Sequence, residues 1–190
     1  MKTTLINSLK TMFNILFLAI MLQGCAQSAK NVNARSQAEK PEIDIQTAVI
    51  SGNLQAVKQH IEAGTDINEK DQFSGSTPLI SASTFNKPEI AKALIDSGAD
   101  LTIKNNDGST ALHAAAFFCR VEIVQLLIDA DADKTLRNNF GATARESVIG
   151  PFEEIRPIYE MLQQQLSAFG LQLNMSEVEK TRPVIAMMLQ

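Results

Sequence analysis

Few residues of this 190-residue chain are of a type and spacing that could do chemistry. There are two histidines, His60 and His113, and two cysteines, Cys25 and Cys119. A zinc-type site draws three or four such ligands from close pairs, and none of these residues is so placed. Asp100, Asp107, Asp129, Asp131 and Asp133 gather carboxylates in a short stretch, but their spacing does not follow a calcium loop, and they read as solvated turns. No glycine-rich phosphate loop and no nucleophile motif occurs. The one candidate nucleophile is the Cys119 thiol. Activating it needs a nearby cation, and Arg120 is the only one evident in sequence. Cys119 therefore carries two readings, a redox-sensing or partner-linking thiol and a small residue tolerated in a turn. No cofactor, no metal, no small-molecule substrate and no enzymatic activity are expected.

The elements that position these residues declare themselves by repetition. Ser76-Thr77-Pro78-Leu79 returns 33 residues later as Ser109-Thr110-Ala111-Leu112-His113, and again as Ala142-Thr143-Ala144. Gly98-Ala99-Asp100 follows Thr77 by 21 residues, and Asp131-Ala132-Asp133 follows Thr110 by the same offset. Counted back from Gly64-Thr65-Asp66, that offset starts an earlier, more diverged copy at Ile43, which makes four copies. A fixed period of this length marks a solenoid. The pattern also obeys helix rules. Thr caps the first turn through its hydroxyl, Pro at the next place has the right φ, and Gly closes a helix in the left-handed region. Each copy reads as helix, turn, helix, loop. Ile123, Leu126 and Leu127 stand at helical spacing and bury against the neighbouring copy, since a single copy cannot bury its own face.

With Thr77-Pro78-Leu79, Thr110-Ala111-Leu112-His113, the Gly52-Asn53 pair, Glu89-Ile90-Ala91-Lys92-Ala93-Leu94, Glu122-Ile123-Val124-Gln125-Leu126-Leu127 and the Gly-Ala-Asp endings in phase, the chain resembles the ankyrin-repeat family over about residues 43–166. The resemblance implies an all-α ankyrin-repeat solenoid of about four helix-turn-helix repeats with hairpin-like finger loops. It also makes His113 a residue that bonds backbone and braces a loop. Cys119 falls where the family usually has a turn Gly, as does Asn86 one repeat earlier, and a non-Gly residue in that left-handed position costs on the order of 1 kcal/mol. The first copy carries Ile43 and Asp44 in place of the Thr and Pro, with polar His60 and Glu62 on its second helix. The fourth has Arg145 and Glu146 in place of Leu and His, followed by Gly150-Pro151. Both are expected as capping repeats with a polar outer face. One extra residue separates Gly64 from Thr77. Past residue 166 the pattern stops. Ser176-Glu177-Val178-Glu179 fits a capping box opening a short last helix, Pro183 should kink or restart it, and Val184, Ile185, Met187 and Leu189 should cover the final repeat.

At the N-terminus Lys2 and Lys10 precede an apolar run over residues 12–22, too short for a span of about 20 residues and suited to a signal peptide. Leu22-Gln23-Gly24-Cys25 resembles a bacterial lipobox, which implies cleavage after residue 24 and lipidation at Cys25; the alternative is ordinary cleavage after Ala26, since Gly24 and Ala26 are both small. Ala26 then implies sorting to the outer membrane, on the periplasmic side of the envelope. The domain reading is a leader over 1–24, a tether over 25–41, repeats over 42–166 and a C-terminal cap or tail over 167–190. The tether holds Ser, Asn, Gln, Ala and Lys with little to bury, and a flexible chain of its length spans roughly 20 to 25 Å. The formal charge is −4, and loss of Lys2 and Lys10 makes it more negative. An acidic chain argues against nucleic acid and against direct binding to anionic lipid, so the lipid anchor is the only membrane contact expected.

The aromatics carry the remaining signal. There is no Trp, one Tyr and nine Phe, of which Phe13 and Phe17 lie in the leader. Phe85 and Phe118 share a register eight residues after the motif Thr, Phe117 precedes it, and Phe73 and Phe140 lie in the loops before the motif. In the ankyrin family these registers are the end of the inner helix and the finger, which implies an aromatic concave face built from Phe73, Phe85, Phe117, Phe118 and Phe140, with Asn106 and Asp107 on the middle finger. Such a face marks a protein interface, the alternative being that some of these rings fold back to pack between neighbouring fingers. The expected function is recognition of an as yet unidentified protein partner. More specific versions are an immunity or accessory protein against a phospholipase-type secreted toxin, and a stabiliser of an envelope oxidative-stress enzyme. A redox sensor through Cys119 is the alternative.

Overall fold

A computed structural model describes residues 41–190, so the leader, Cys25 and the tether as far as residue 40 lie outside the described residues. Among the described residues there are eight α-helices, two short 3-10 turns and no strand. None of these helices is long and apolar enough to cross a membrane.

Each copy starts where a side chain can take the first orphan amides of a helix. Asp44 accepts from the Thr47 amide at 2.9 Å and opens α1 (Ile45–Ser51). Thr77 opens α3 (Pro78–Thr84) with Pro in the first turn, and Thr110 opens α5 (Ala111–Phe117). These helices end beside a left-handed residue, Gly52, Asn86 or Cys119, at φ 77°, 54° and 56°. The chain then turns back into α2 (Leu54–Glu62), α4 (Pro88–Asp96) and α6 (Val121–Asp129). The first copy begins at Asp44 rather than Ile43. Its left-handed residue comes eight positions after the cap instead of nine, so the inner turn is one residue shorter.

Helices α1, α3 and α5 form one row and α2, α4 and α6 a second, each packed on its neighbour along the row. Val49, Val57, Leu79, Ile80, Leu94, Leu112, Ile123 and Leu127 lie between them, fully buried. No copy encloses its own apolar face, as a solenoid requires. His60 is not on a polar outer face: it is fully buried, with Nε2 2.8 Å from the Ile43 carbonyl and Nδ1 3.1 Å from the Thr65 hydroxyl. Those partners satisfy both ring nitrogens, which is what permits the burial.

The fourth copy keeps its cap and loses its first helix. Thr143 Oγ1 accepts from the Glu146 amide at 3.2 Å and Glu146 accepts from the Thr143 amide at 2.9 Å, yet only a 3-10 turn follows, Glu146–Val148. After Gly150-Pro151 comes α7 (Phe152–Leu166), and after a second 3-10 turn, Ser167–Phe169, comes α8 (Met175–Met188). It is α8 that packs against α6 and the Glu146–Val148 turn, in the place an outer helix of the fourth copy would take. Ile185 and Leu189 bury there, whereas Val184 and Met187 face solvent at 41% and 62% exposure. Helix α8 starts two residues before the expected capping box, because Asn174 Oδ1 accepts from the Ser176 and Glu177 amides at 3.1 and 3.3 Å. Pro183 does not end it, since Val178, Arg182 and Ile185 anchor one face on both sides of the ring.

Candidate functional site

Three hairpin fingers precede the motif threonines. Each is closed by a backbone pair, Asp71 N–H to Ser76 O, Asn105 N–H to Ser109 O and Asn138 N–H to Ala142 O, at 2.9, 2.9 and 3.0 Å. The extra residue of the first finger therefore lies in its tip, between Asp71 and Ser76. Inside each finger one side chain replaces the missing backbone acceptors. Asp71 accepts from the amides of Phe73, Ser74 and Ser76 and from the Ser74 hydroxyl at 2.7–2.8 Å. Partial burial works to raise its pKa, but these hydrogen bonds outweigh burial and hold the carboxyl below its ordinary range. Asn105 and Asn138 do the same work in the other fingers.

Neighbouring fingers are tied to each other. The Asn106 amide donates to Ser74 O at 2.9 Å and its Nδ2 to Phe73 O at 3.1 Å. One repeat on, the Asn139 amide donates to Asp107 O at 2.9 Å and its Nδ2 to Asn106 O at 3.0 Å. Gly75 and Gly108, at φ 67° and 72°, leave room for this ladder: a Cβ on either would collide with the Asn106 or Asn139 side-chain oxygen. His113 braces the base of the third finger. Its Nδ1 accepts from the Thr110 amide at 3.3 Å, so Nε2 carries the proton and donates to Ala142 O at 3.1 Å. Burial, with Lys104 nearby, holds its pKa below the usual value and keeps the ring neutral.

Out of this frame project Phe73, 96% exposed, and Phe140, 79% exposed, with Asn106 and Asp107 exposed on the finger between them. Asn106 is also the brace just described. The other three aromatics do not form an open face. Phe118 is buried, and Phe85 and Phe117 are half-buried, in a second core roofed by α7. Phe117 stands edge-on to Phe118 with centroids 5.2 Å apart and stacks on Tyr159 at 4.7 Å. Tyr159 is fully buried, its hydroxyl donating to Phe117 O at 2.7 Å and accepting from Arg182 Nη1 at 3.0 Å. Phe85, Phe117 and Phe118 are packed because a third layer covers the inner-helix ends, and a plain solenoid has none. Tyr159 and the buried Arg182 escape a search for chemistry by residue type. A signal was present in the spacing of Phe152, Ile155, Tyr159, Leu162 and Leu166, which alternates by three and four residues.

The same cover decides the chemistry of Cys119. Burial pushes its thiol up to about 11, outweighing the lowering effects of Arg182 and Arg120. The thiol is thereby held protonated at neutral pH, which is the reverse of what a thiolate-based redox sensor needs. Its Sγ instead points to the carbonyls of Val178 and Phe117, at 3.7 and 3.9 Å. Cys119 is a turn residue packed under α7 and α8. Among the described residues no three His, Cys, Asp or Glu side chains converge as a metal would require.

Residues 45–138 match the family model described as Ankyrin repeats, in three copies. Protein phosphatase 1 regulatory subunit 27 of Homo sapiens is 45% identical over 60 residues, which are 32% of this chain and 38% of that protein, and its Mus musculus counterpart matches equally. A putative ankyrin repeat protein of Rickettsia bellii (strain RML369-C) is 40% identical over 86 residues, 41% of this chain and 49% of that one. The chain thus spans less than half the length of each of these relatives.

Proposed function

From the ankyrin repeats that this chain carries over residues 45–138, we propose that it is a non-catalytic module that binds a protein partner through its finger tips. The observation that carries this reading is the exposure of Phe73 and Phe140 on fingers already fixed by the Asn106 and Asn139 ladder. A large apolar ring held fully in water by a rigid loop is costly to the free protein and favourable once covered, and little ordering entropy is lost on covering it. The relatives named as a regulatory subunit support a role exercised on another protein. The acidic net charge of −4 favours a basic partner.

The setting we propose is the periplasmic side of a bacterial envelope, with Cys25 lipidated and the anchor in the outer membrane. This part rests on the N-terminal sequence alone. There the partner would be a secreted or envelope enzyme that the module inhibits or stabilises, of the phospholipase-toxin or oxidative-stress kind. Capture of partners from native envelopes by a tagged protein spanning residues 27–190, beside its Phe73→Ala, Phe140→Ala double variant, tests the surface. One protein held by the parent and lost by the variant supports it; equal recovery by both rejects it. Cys25→Ser in the full chain should move the protein from the membrane fraction to the soluble one, and unchanged fractionation would reject the anchor.

A further inference from the structure

Helix α7 is seated differently from every other helix. Its inner stripe, Phe152, Ile155, Tyr159, Leu162 and Leu166, packs only into the second core, while α8 contributes Ile185 and Leu189 to the main one. Of its 15 residues only Phe152 and Tyr159 are deeply buried. The seal is imperfect. Arg156 Nε and Gln163 Oε1 on α7, and Arg120 Nε beside Phe118, are buried without a hydrogen-bond partner. Such atoms weaken an interface, because each gives up its water without a hydrogen bond in return, and the Arg156 and Arg120 guanidiniums keep only the Phe152 and Phe118 rings, at 5.0 and 6.0 Å. Arg120 and Arg182 pair with no carboxylate among the described residues. Left-handed glycines bound the segment, Gly150 at φ 112° and Gly170 at φ 88°, each with open space around it. Under α7 lies a floor of Phe85, Phe117, Phe118 and Cys119 drawn from two consecutive repeats.

We propose that α7 is an internal ligand that closes a helix-binding groove over Phe85, Phe117 and Phe118, and that a partner's amphipathic helix with two aromatic residues seven apart displaces it. What fits the groove is written in its occupant. Phe152 and Tyr159 are two turns apart on one face, the spacing at which a helix anchors itself in an apolar groove. A competing helix that offers the same two rings, one of them carrying a hydroxyl, meets the same floor and the same Arg182 and Phe117 partners as α7. The proposal rests on the reading of this chain as a binding module, but it concerns a surface separate from the finger tips. Loss of binding in the Phe73 and Phe140 variant leaves it untouched.

The chain provides its own probe. Tyr159 is its only tyrosine and there is no tryptophan, so intrinsic emission reports on the α7 seat while far-UV circular dichroism reports on all helices. In urea titration of the full chain, the Tyr159 transition should come at lower denaturant and with a shallower slope than the dichroism transition. Coincident transitions would overturn the proposal, since α7 would then open only when the repeats unfold. A fluorescein-labelled synthetic peptide of residues 151–170 supplies the second arm. It should bind the full-length Phe152→Ala, Tyr159→Ala variant at least tenfold more tightly than the parent, whose own helix competes. Equal binding to both, or none to either, would also overturn it. Should the double variant fail to fold, Tyr159→Phe, which keeps the ring and loses both hydrogen bonds, replaces it in the same comparison.

Discussion

Replacing Phe118 by Ala separates the two accounts of the inner-helix aromatics. On an open face the change would leave stability within about 0.5 kcal/mol of the parent, as surface substitutions do. In the structure Phe118 is 8% exposed, meets Phe117 edge-on at 5.2 Å and closes α5 beneath α7. Truncating a buried Phe costs about 3–5 kcal/mol through lost transfer energy and the cavity left behind, and the aromatic pair accounts for roughly 0.5–1.5 kcal/mol of such losses. Because α7 is lightly anchored and can settle into part of the space, the lower end is expected, about 3 kcal/mol. Against a total stability of about 5–15 kcal/mol that is a large fraction. With a urea slope of about 1–3 kcal/mol per molar, the midpoint should fall by roughly 1–3 M. Urea titration followed by Tyr159 emission, which reports on the second core, measures it, with Phe73→Ala as the surface comparator. A Phe118→Ala midpoint indistinguishable from that of Phe73→Ala would refute the second core and with it the placement of α7.

Three further outcomes follow from the fingers and turns. Gly108→Ala should destabilise by more than Gly98→Ala: both have positive φ, which costs on the order of 1 kcal/mol for a side chain, but only at Gly108 does the new Cβ strike Asn139; chemical denaturation of the two variants compares them. Asp131, at φ 59° where the preceding repeat has Gly98, should gain up to about 1 kcal/mol on change to Gly, read as a raised urea midpoint. His113 has a folded-state pKa below its ordinary 6.5, so the unfolded chain takes up the proton first as the pH falls. Its contribution is complete above about pH 6.5 and is lost as the pH drops through the folded value; the melting temperature should fall over that window, and His113→Gln should flatten the fall.

The repeats were legible because their signals are local. Thr77 and Thr110 cap because a hydroxyl reaches an amide three residues on, and Asn86 and Cys119 could be placed in left-handed turns because they stand where the ankyrin family has its turn Gly. The exposure of Phe73 and Phe140 was legible for the same reason, since a finger tip has little to pack on. Where the sequence misled, the deciding partner lay far along the chain. His60 looks like a surface residue until the Ile43 carbonyl, 17 positions away, is folded onto its ring. Phe117 and Phe118 look like a groove until Tyr159, about 40 positions on, stacks on Phe117 and joins both in one core. The residues Phe152 to Leu166 have a spacing that an outer helix of a fourth repeat would also show, so periodicity establishes that a helix forms and leaves open which surface it covers.

That third layer alters how the molecule distributes its stability. In a plain solenoid each repeat interacts only with its neighbours, so stability is nearly a sum of adjacent terms and either end frays independently. Here the second core joins Phe85 of the second copy, Phe118 of the third and Val178 of α8, which itself packs on α6. Arg145 Nε donates to Ala186 O at 3.1 Å and Lys134 Nζ to Gln190 O at 3.0 Å, so the fourth-copy loop is bound into the same unit. No such layer reaches the first copy. It is held by the packing of α1 on α3 and α2 on α4, with Gln46 donating to Ser76 O and accepting from Ser81 at 2.9 Å each. A chain built this way opens from its N-terminal repeat and, separately, at α7, while the second and third copies with α8 persist as the most protected block. The first finger, which carries Phe73, is tied to that block through Asn106 rather than through the first copy alone, so Phe73 is kept in place even when α1 and α2 fray.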